Sequence, residues 1–238
     1  MSYADNPYRS PMDAFAISAA EDERANFITK TYLHLAGAVG LFAAIEAVLL
    51  NLPGTRNAIE AVFSAPYGVL AMFAGFMLVS YIADRWARTA INPAMQYAGL
   101  GLYVVAEAIL FVPMLWFANE RFPGVILSAA VATGSLFGLL TVVVFITRKD
   151  FSFLRSVLIF GSFAALGLIV VSILFNFNLG PIFTYAMIAL ACGYILYDTS
   201  NVLHHYRIGQ HVAAALALFA SVALLFWYIL QLFMSRRD

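Results

Sequence analysis

Long uncharged stretches separated by short polar turns dominate the chain. Residues 61–83 lie between Glu60 and Asp84, residues 122–147 follow Arg121, and residues 208–235 precede the terminal Arg236-Arg237-Asp238. The longest run, 156–197, is interrupted by Asn176-Phe177-Asn178-Leu179-Gly180-Pro181, a turn signal that divides it into two helices. Two further apolar segments carry isolated ionisable groups: 27–50 holds Lys30, His34 and Glu46, and 93–118 holds Glu107. A bilayer core about 30 Å thick takes roughly 20 apolar residues per helix. The pattern therefore predicts seven passes, over 27–50, 62–83, 94–117, 123–147, 153–176, 181–202 and 212–234.

Composition agrees. Of 238 residues, 63% are hydrophobic and 11% charged, against roughly 45–50% and about 25% in soluble domains. Thirteen basic residues balance thirteen acidic ones, so there is no basic surface for nucleic acid. The single cysteine, Cys192, excludes a disulfide framework and reads as a small residue in an apolar helix. The expected class is an all-α integral membrane protein whose partner is the lipid bilayer.

Residues 1–26 are polar, carry Pro7 and Pro11 and mix seven charges of both signs. They are expected to form a disordered or interfacial tail ahead of a transmembrane domain over 27–238. The basic residues set the orientation. Nine (Arg9, Arg24, Lys30, Arg85, Arg88, Arg148, Lys149, Arg155, Arg207) fall on the N-terminal side and four (Arg56, Arg121, Arg236, Arg237) on the other. That asymmetry predicts a cytoplasmic N-terminus. In the fourth helix Ala130, Gly134 and Gly138 recur every four residues, a spacing expected to admit a neighbouring backbone.

Ionisable groups inside a span are costly and mark candidate sites. Glu46 lies near the end of the first helix, within reach of headgroups. Glu107 lies near mid-membrane with Tyr97 and Tyr103 on adjacent turns, and must be protonated, paired or in contact with water. Asp198, in Tyr194-Ile195-Leu196-Tyr197-Asp198-Thr199-Ser200-Asn201, lies late in the sixth helix and can switch its charge with pH. Lys30 can extend to the interface. His34 is expected to hydrogen-bond within the bundle, and His204, His205 and His211 to lie near the membrane surface without a zinc signature. No GxSxG, HExxH or P-loop is present, and the chain reads as a non-enzyme without a resident cofactor.

Several motifs resemble those of the Bax inhibitor-1 family. They are Phe27-Ile28-Thr29-Lys30-Thr31-Tyr32-Leu33, the turn Thr147-Arg148-Lys149-Asp150-Phe151-Ser152-Phe153-Leu154, Gly193-Tyr194-Ile195-Leu196-Tyr197-Asp198-Thr199 with Asn201-Val202-Leu203-His204-His205-Tyr206, and Ala213-Ala214-Ala215-Leu216-Ala217-Leu218-Phe219. Their order and spacing span about residues 27–234 and look closest to the bacterial, YccA-like branch. The resemblance implies a seven-helix bundle with the last helix central, in the inner membrane of a bacterial cell. It also implies pH-dependent leak of Ca²⁺ as permeant ion, or regulation through a membrane protease of the FtsH type. Asp198 matches the family's sixth-helix aspartate and becomes the candidate gate and Ca²⁺ contact. The family's second aspartate, in the last helix, falls at Ser221, within Leu218-Phe219-Ala220-Ser221. A carboxylate and a hydroxyl do not couple their titrations as two carboxylates do, and they offer Ca²⁺ fewer charged oxygens. Glu107 could supply the missing carboxylate if its helix faces the same cavity, and Glu46 completes the candidate set.

Overall fold

A computed structural model describes residues 14–89 and 92–236 of the chain. Among them are eight helices: α1 (Glu21–Asn51), α2 (Thr55–Ser64), α3 (Gly68–Ala87), α4 (Pro93–Arg121), α5 (Val125–Thr147), α6 (Leu154–Phe175), α7 (Gly180–His204) and α8 (His211–Ser235). All but α2 are long and apolar enough to cross a membrane. The chain is an all-α membrane bundle.

Two expected boundaries move. Helix α1 begins at Glu21, within the stretch read as a polar tail. Glu21, Asp22 and Glu23 occupy its first turn, where carboxylates offset the positive end of the helix dipole. Just before it, the segment from Ala14 is held against the α7–α8 connection. Ala16 N donates to Tyr206 O at 2.9 Å and Ile208 N to Ala14 O at 3.0 Å, while the Arg207 guanidinium stands 5.6 Å from the Phe15 ring centre. Residues 14–26 are therefore structured, whereas 1–13 lie outside the described residues.

The second pass is not one helix over 62–83. Proline has no N–H and its ring clashes with the preceding turn, so the helix stops at Ser64, before Pro66. Tyr67 then turns the chain in the left-handed region, at φ 60°, and α3 starts at Gly68. The piece left behind, α2, buries no residue and carries an exposed Arg56–Glu60 pair at 2.7 Å. The α6–α7 turn forms where expected, with Asn176 at φ 52° and Gly180 at φ 73°.

Helix α8 is the hub, packed against α1, α3, α4, α5 and α7. Its most apolar window is 67% buried, against 11% for α6, which lies at the margin beside α7. Phe219, Leu218, Leu225 and Leu230 along α8 are fully enclosed.

The small-residue row of α5 does not do what its spacing predicts. Ala130 and Gly134 face outward, and neither Gly134 nor Gly138 has an atom within 4 Å of where a side chain would start. Helix α5 turns Val125, Ala129 and Thr133 inward instead. The close backbone approach lies between α3 and α4. A Cβ on Gly99 would stand 2.6 Å from the Ala83 carbonyl oxygen and 2.7 Å from the Ala87 nitrogen. The small residues Ala83, Ala87 and Gly99 are what allow these two helices to meet.

Successive spans alternate in direction, which sorts the basic residues between two ends. Arg24, Lys30, Arg85, Arg88, Arg148, Lys149, Arg155 and Arg207 gather at the end holding the start of α1, and Arg56, Arg121 and Arg236 at the other.

Candidate functional site

Helices α7 and α8 form a close antiparallel pair. Asp198 on α7 and Ser221 on α8 meet across it, 7% and 4% exposed, with Ser221 Oγ donating to Asp198 Oδ2 at 2.5 Å. A buried carboxylate needs such a partner, because hydrocarbon offers it neither solvation nor hydrogen bonds. A cation adds to this. Arg88, just past the end of α3, lies within Coulombic reach of both Asp198 and Tyr206. Arg88 is itself fixed by Asp84, one turn earlier, with Nε 2.8 Å from both carboxylate oxygens. That hydrogen bond holds the guanidinium further above its ordinary range, so it stays charged. Burial, then the charge of Asp198, push the Tyr206 phenol well up, so it remains a neutral donor.

Two residues beyond Asp198, α7 is tied to the α5–α6 turn. Ser200 Oγ accepts from Phe151 N at 2.9 Å and donates to Lys149 O at 3.4 Å. Asp150 in the same turn accepts from Ser152 N at 2.8 Å and lies 3.0 Å from His205 Nε2. Slight desolvation of the Asp150 carboxyl is outweighed by its hydrogen bonds to Ser152 and its contact with His205, and it sits below its ordinary value. His204 keeps its ring at the end of α7, with Nδ1 2.9 Å from Ser200 O.

Glu107 does not join Asp198. It is 6% exposed on α4, one turn after Tyr103, and its Oε2 has no partner among the described residues. The Tyr103 ring packs on Phe219 at 6.1 Å. Phe219 and Ser221, two residues apart, point about 200° apart around a helix of 3.6 residues per turn. Glu107 and Asp198 therefore lie on opposite sides of α8.

Glu46 is further still. Although near the end of α1, it is 4% exposed and does not reach the surface, and neither carboxylate oxygen has a partner among the described residues. Phe42 and Phe111 touch edge to face at 5.2 Å. Phe42 lies one turn before Glu46 and Phe111 one turn after Glu107, on helices running the same way. This aromatic contact thus separates the two carboxyl groups along the membrane normal.

Of the four sequence candidates, only Asp198 and Ser221 come together. Arg88 and Asp84, which complete their surroundings, were read from sequence only as helix-end charges, although their i, i+4 spacing signals a pair. Among the described residues no three of His, Cys, Asp and Glu gather closely enough to hold a metal ion. A cation reaching Asp198 would meet one carboxylate and one hydroxyl, far short of the 6–8 oxygens that Ca²⁺ prefers. This is the chemistry of a transient contact.

The family model described as "Inhibitor of apoptosis-promoting Bax1" matches residues 24–238. The protein LIFEGUARD 4 of Arabidopsis thaliana is 30% identical over 144 residues, 58% of this chain and 57% of that one. An uncharacterized protein of Pseudomonas aeruginosa is 34% identical over 173 residues, 72% and 73% of the two chains. The Golgi anti-apoptotic protein of vaccinia virus is 26% identical over 221 residues, 90% and 87%.

Proposed function

We propose that this chain, which belongs to the Bax inhibitor-1 family, is a multi-pass membrane protein that leaks cations, Ca²⁺ among them, under pH control at Asp198. The observation that carries the reading is the Ser221–Asp198 hydrogen bond across the α7–α8 contact, beside the fixed guanidinium of Arg88. An ionised Asp198 accepts from Ser221 and attracts Arg88, drawing α7, α8 and the end of α3 together. Protonation removes the attraction to Arg88 and weakens the hydrogen bond, which loosens the contact around the central helix. A cation does the same by competing for the carboxylate. With a hydroxyl where relatives of this kind place a second carboxylate, the gate titrates in one step.

The collection of basic residues at the α1 end supports a cytoplasmic N-terminus. The Pseudomonas relative supports a bacterial origin, and in such a cell a multi-pass helical bundle has the inner membrane as its place.

The test is Ca²⁺ flux from vesicles containing the purified chain, measured from mildly acidic to neutral pH. Asp198→Asn keeps the size and hydrogen-bonding capacity but abolishes the titration, and the flux should become insensitive to pH. Ser221→Asp should restore a coupled pair and steepen the profile. A wild-type flux whose profile survives both substitutions would make Asp198 a structural hydrogen-bonding residue. A chain that conducts at no pH but retains an FtsH-type protease from the membrane would instead be a regulator, a reading the polar first residues favour.

A further inference from the structure

A groove of about 410 Å³ runs between α1 and α4 on the outer face of the bundle, away from Asp198. Its walls are apolar, with Leu41 on α1 and Leu100 and Val104 on α4. Its depth comes from Gly37 and Gly101, since a side chain begun at either would meet no atom within 4 Å. The same helix α4 is filled to contact at Gly99, two residues away, so the opening at Gly101 is local to this face.

At the basic end of the bundle the groove closes on polar groups from three helices. The rings of His34 on α1 and His211 on α8 lie 4.9 Å apart, and Tyr97 on α4 lies 5.4 Å from His34. Lys30 stands one turn above His34, is exposed and has no carboxylate within ion-pair distance among the described residues. Lys30, His34, Gly37 and Leu41 follow at helical spacing down one face of α1, so cation, rings and slot are in line along the membrane normal.

We propose that this groove binds one anionic phospholipid of the leaflet at the basic end, its acyl chain in the slot and its phosphate against Lys30, His34 and His211. Charge complementarity selects this occupant. The slot is apolar along its length and its mouth offers one cation with imidazole and phenol donors, the requirement of a headgroup phosphate attached to a hydrocarbon chain. An apolar transmembrane helix laid on this face would bring no group to satisfy the cation.

The test uses the full chain in micelles carrying phosphatidylglycerol or phosphatidylcholine, with retained lipid counted by native mass spectrometry. Wild type should keep one phosphatidylglycerol and prefer it over phosphatidylcholine about tenfold. Gly37→Leu with Gly101→Leu fills the slot and should lose both lipids about tenfold. Lys30→Gln with His34→Gln should keep a lipid but lose the preference. Gly134→Leu, on a remote outward face, should behave as wild type. Should the double leucine variant fail to fold, a photoactivatable acyl chain on phosphatidylglycerol tests the wild type directly, and its label should concentrate on residues 33–41 and 97–104. Three results would overturn the proposal: retention unchanged in the filled variant, label spread evenly over the outward faces of α5 and α6, or a lipid-free dimer that Gly37→Leu disrupts.

Discussion

Asp198 and Glu46 are both buried carboxyl groups facing the same central helix, but their surroundings differ in kind. Asp198 has a hydroxyl donor at 2.5 Å, a guanidinium within Coulombic reach and a phenol beyond it. Glu46 is equally buried and has no hydrogen-bond partner among the described residues. The first arrangement answers the cost of burying a charge; the second leaves it standing. Removing polar groups should therefore have opposite signs at the two places, and that contrast can be broken by measurement.

The largest loss should follow Ser221→Ala. A hydrogen bond to a charged group contributes about 1.5–3 kcal/mol, and in a chain of this size each kcal/mol moves the melting temperature by about 2–4 °C. Thermal unfolding in detergent should show a loss of several degrees. An unchanged midpoint would mean that the Asp198–Ser221 contact adds nothing. Glu46→Met, nearly conserving volume, should act the other way and raise stability by about 1–2 kcal/mol, since it removes two unpartnered oxygens. A drop in melting temperature would show that Glu46 has a partner in the membrane.

Asp150, at the surface, should show the smallest effect. Its pKa is lowered in the folded chain, so its stabilisation is fully present above the unfolded value of about 3.9 and fades as pH falls through the folded value. Asp150→Asn should therefore lower melting slightly at neutral pH and by less at pH 3. A loss of equal size at both pH values would assign the effect to lost contacts and not to charge.

What the chain's pattern disclosed follows from which physics is local. Span positions were legible because the bilayer imposes length and hydrophobicity on each helix separately. The stop at Pro66 is equally local, but the uncharged run 61–83 that surrounds it has the length of a single span. Which way a helix turns its small residues is not local. Ala130, Gly134 and Gly138 have the spacing of a contact, yet Ala130 and Gly134 face outward and Gly138 meets no neighbour, while Gly99 is locked between Ala83 and Ala87. Only the position of the neighbouring helix distinguishes them. The same limit applies to the polar groups. Ser221 was reached because its place in a family pattern put it opposite Asp198. Glu107 was considered for the same cavity and lies behind α8. The ties from Ser200 to Lys149 and Phe151 join two segments whose motifs were each visible, although nothing in either indicated that they meet.

The strap at the N-terminus sets an order of events during synthesis. Ala16 pairs with Tyr206, 190 positions further along the chain. Residue 16 leaves the ribosome well before residue 206, and its partner does not exist until six of the seven spans have been made. Contacts of such sequence separation form late because the intervening chain must be ordered first. Until then the segment around Ala16 stays open to whatever inserts, modifies or cleaves nascent membrane proteins, and pairing across the α7–α8 connection closes that interval only once the bundle is nearly whole.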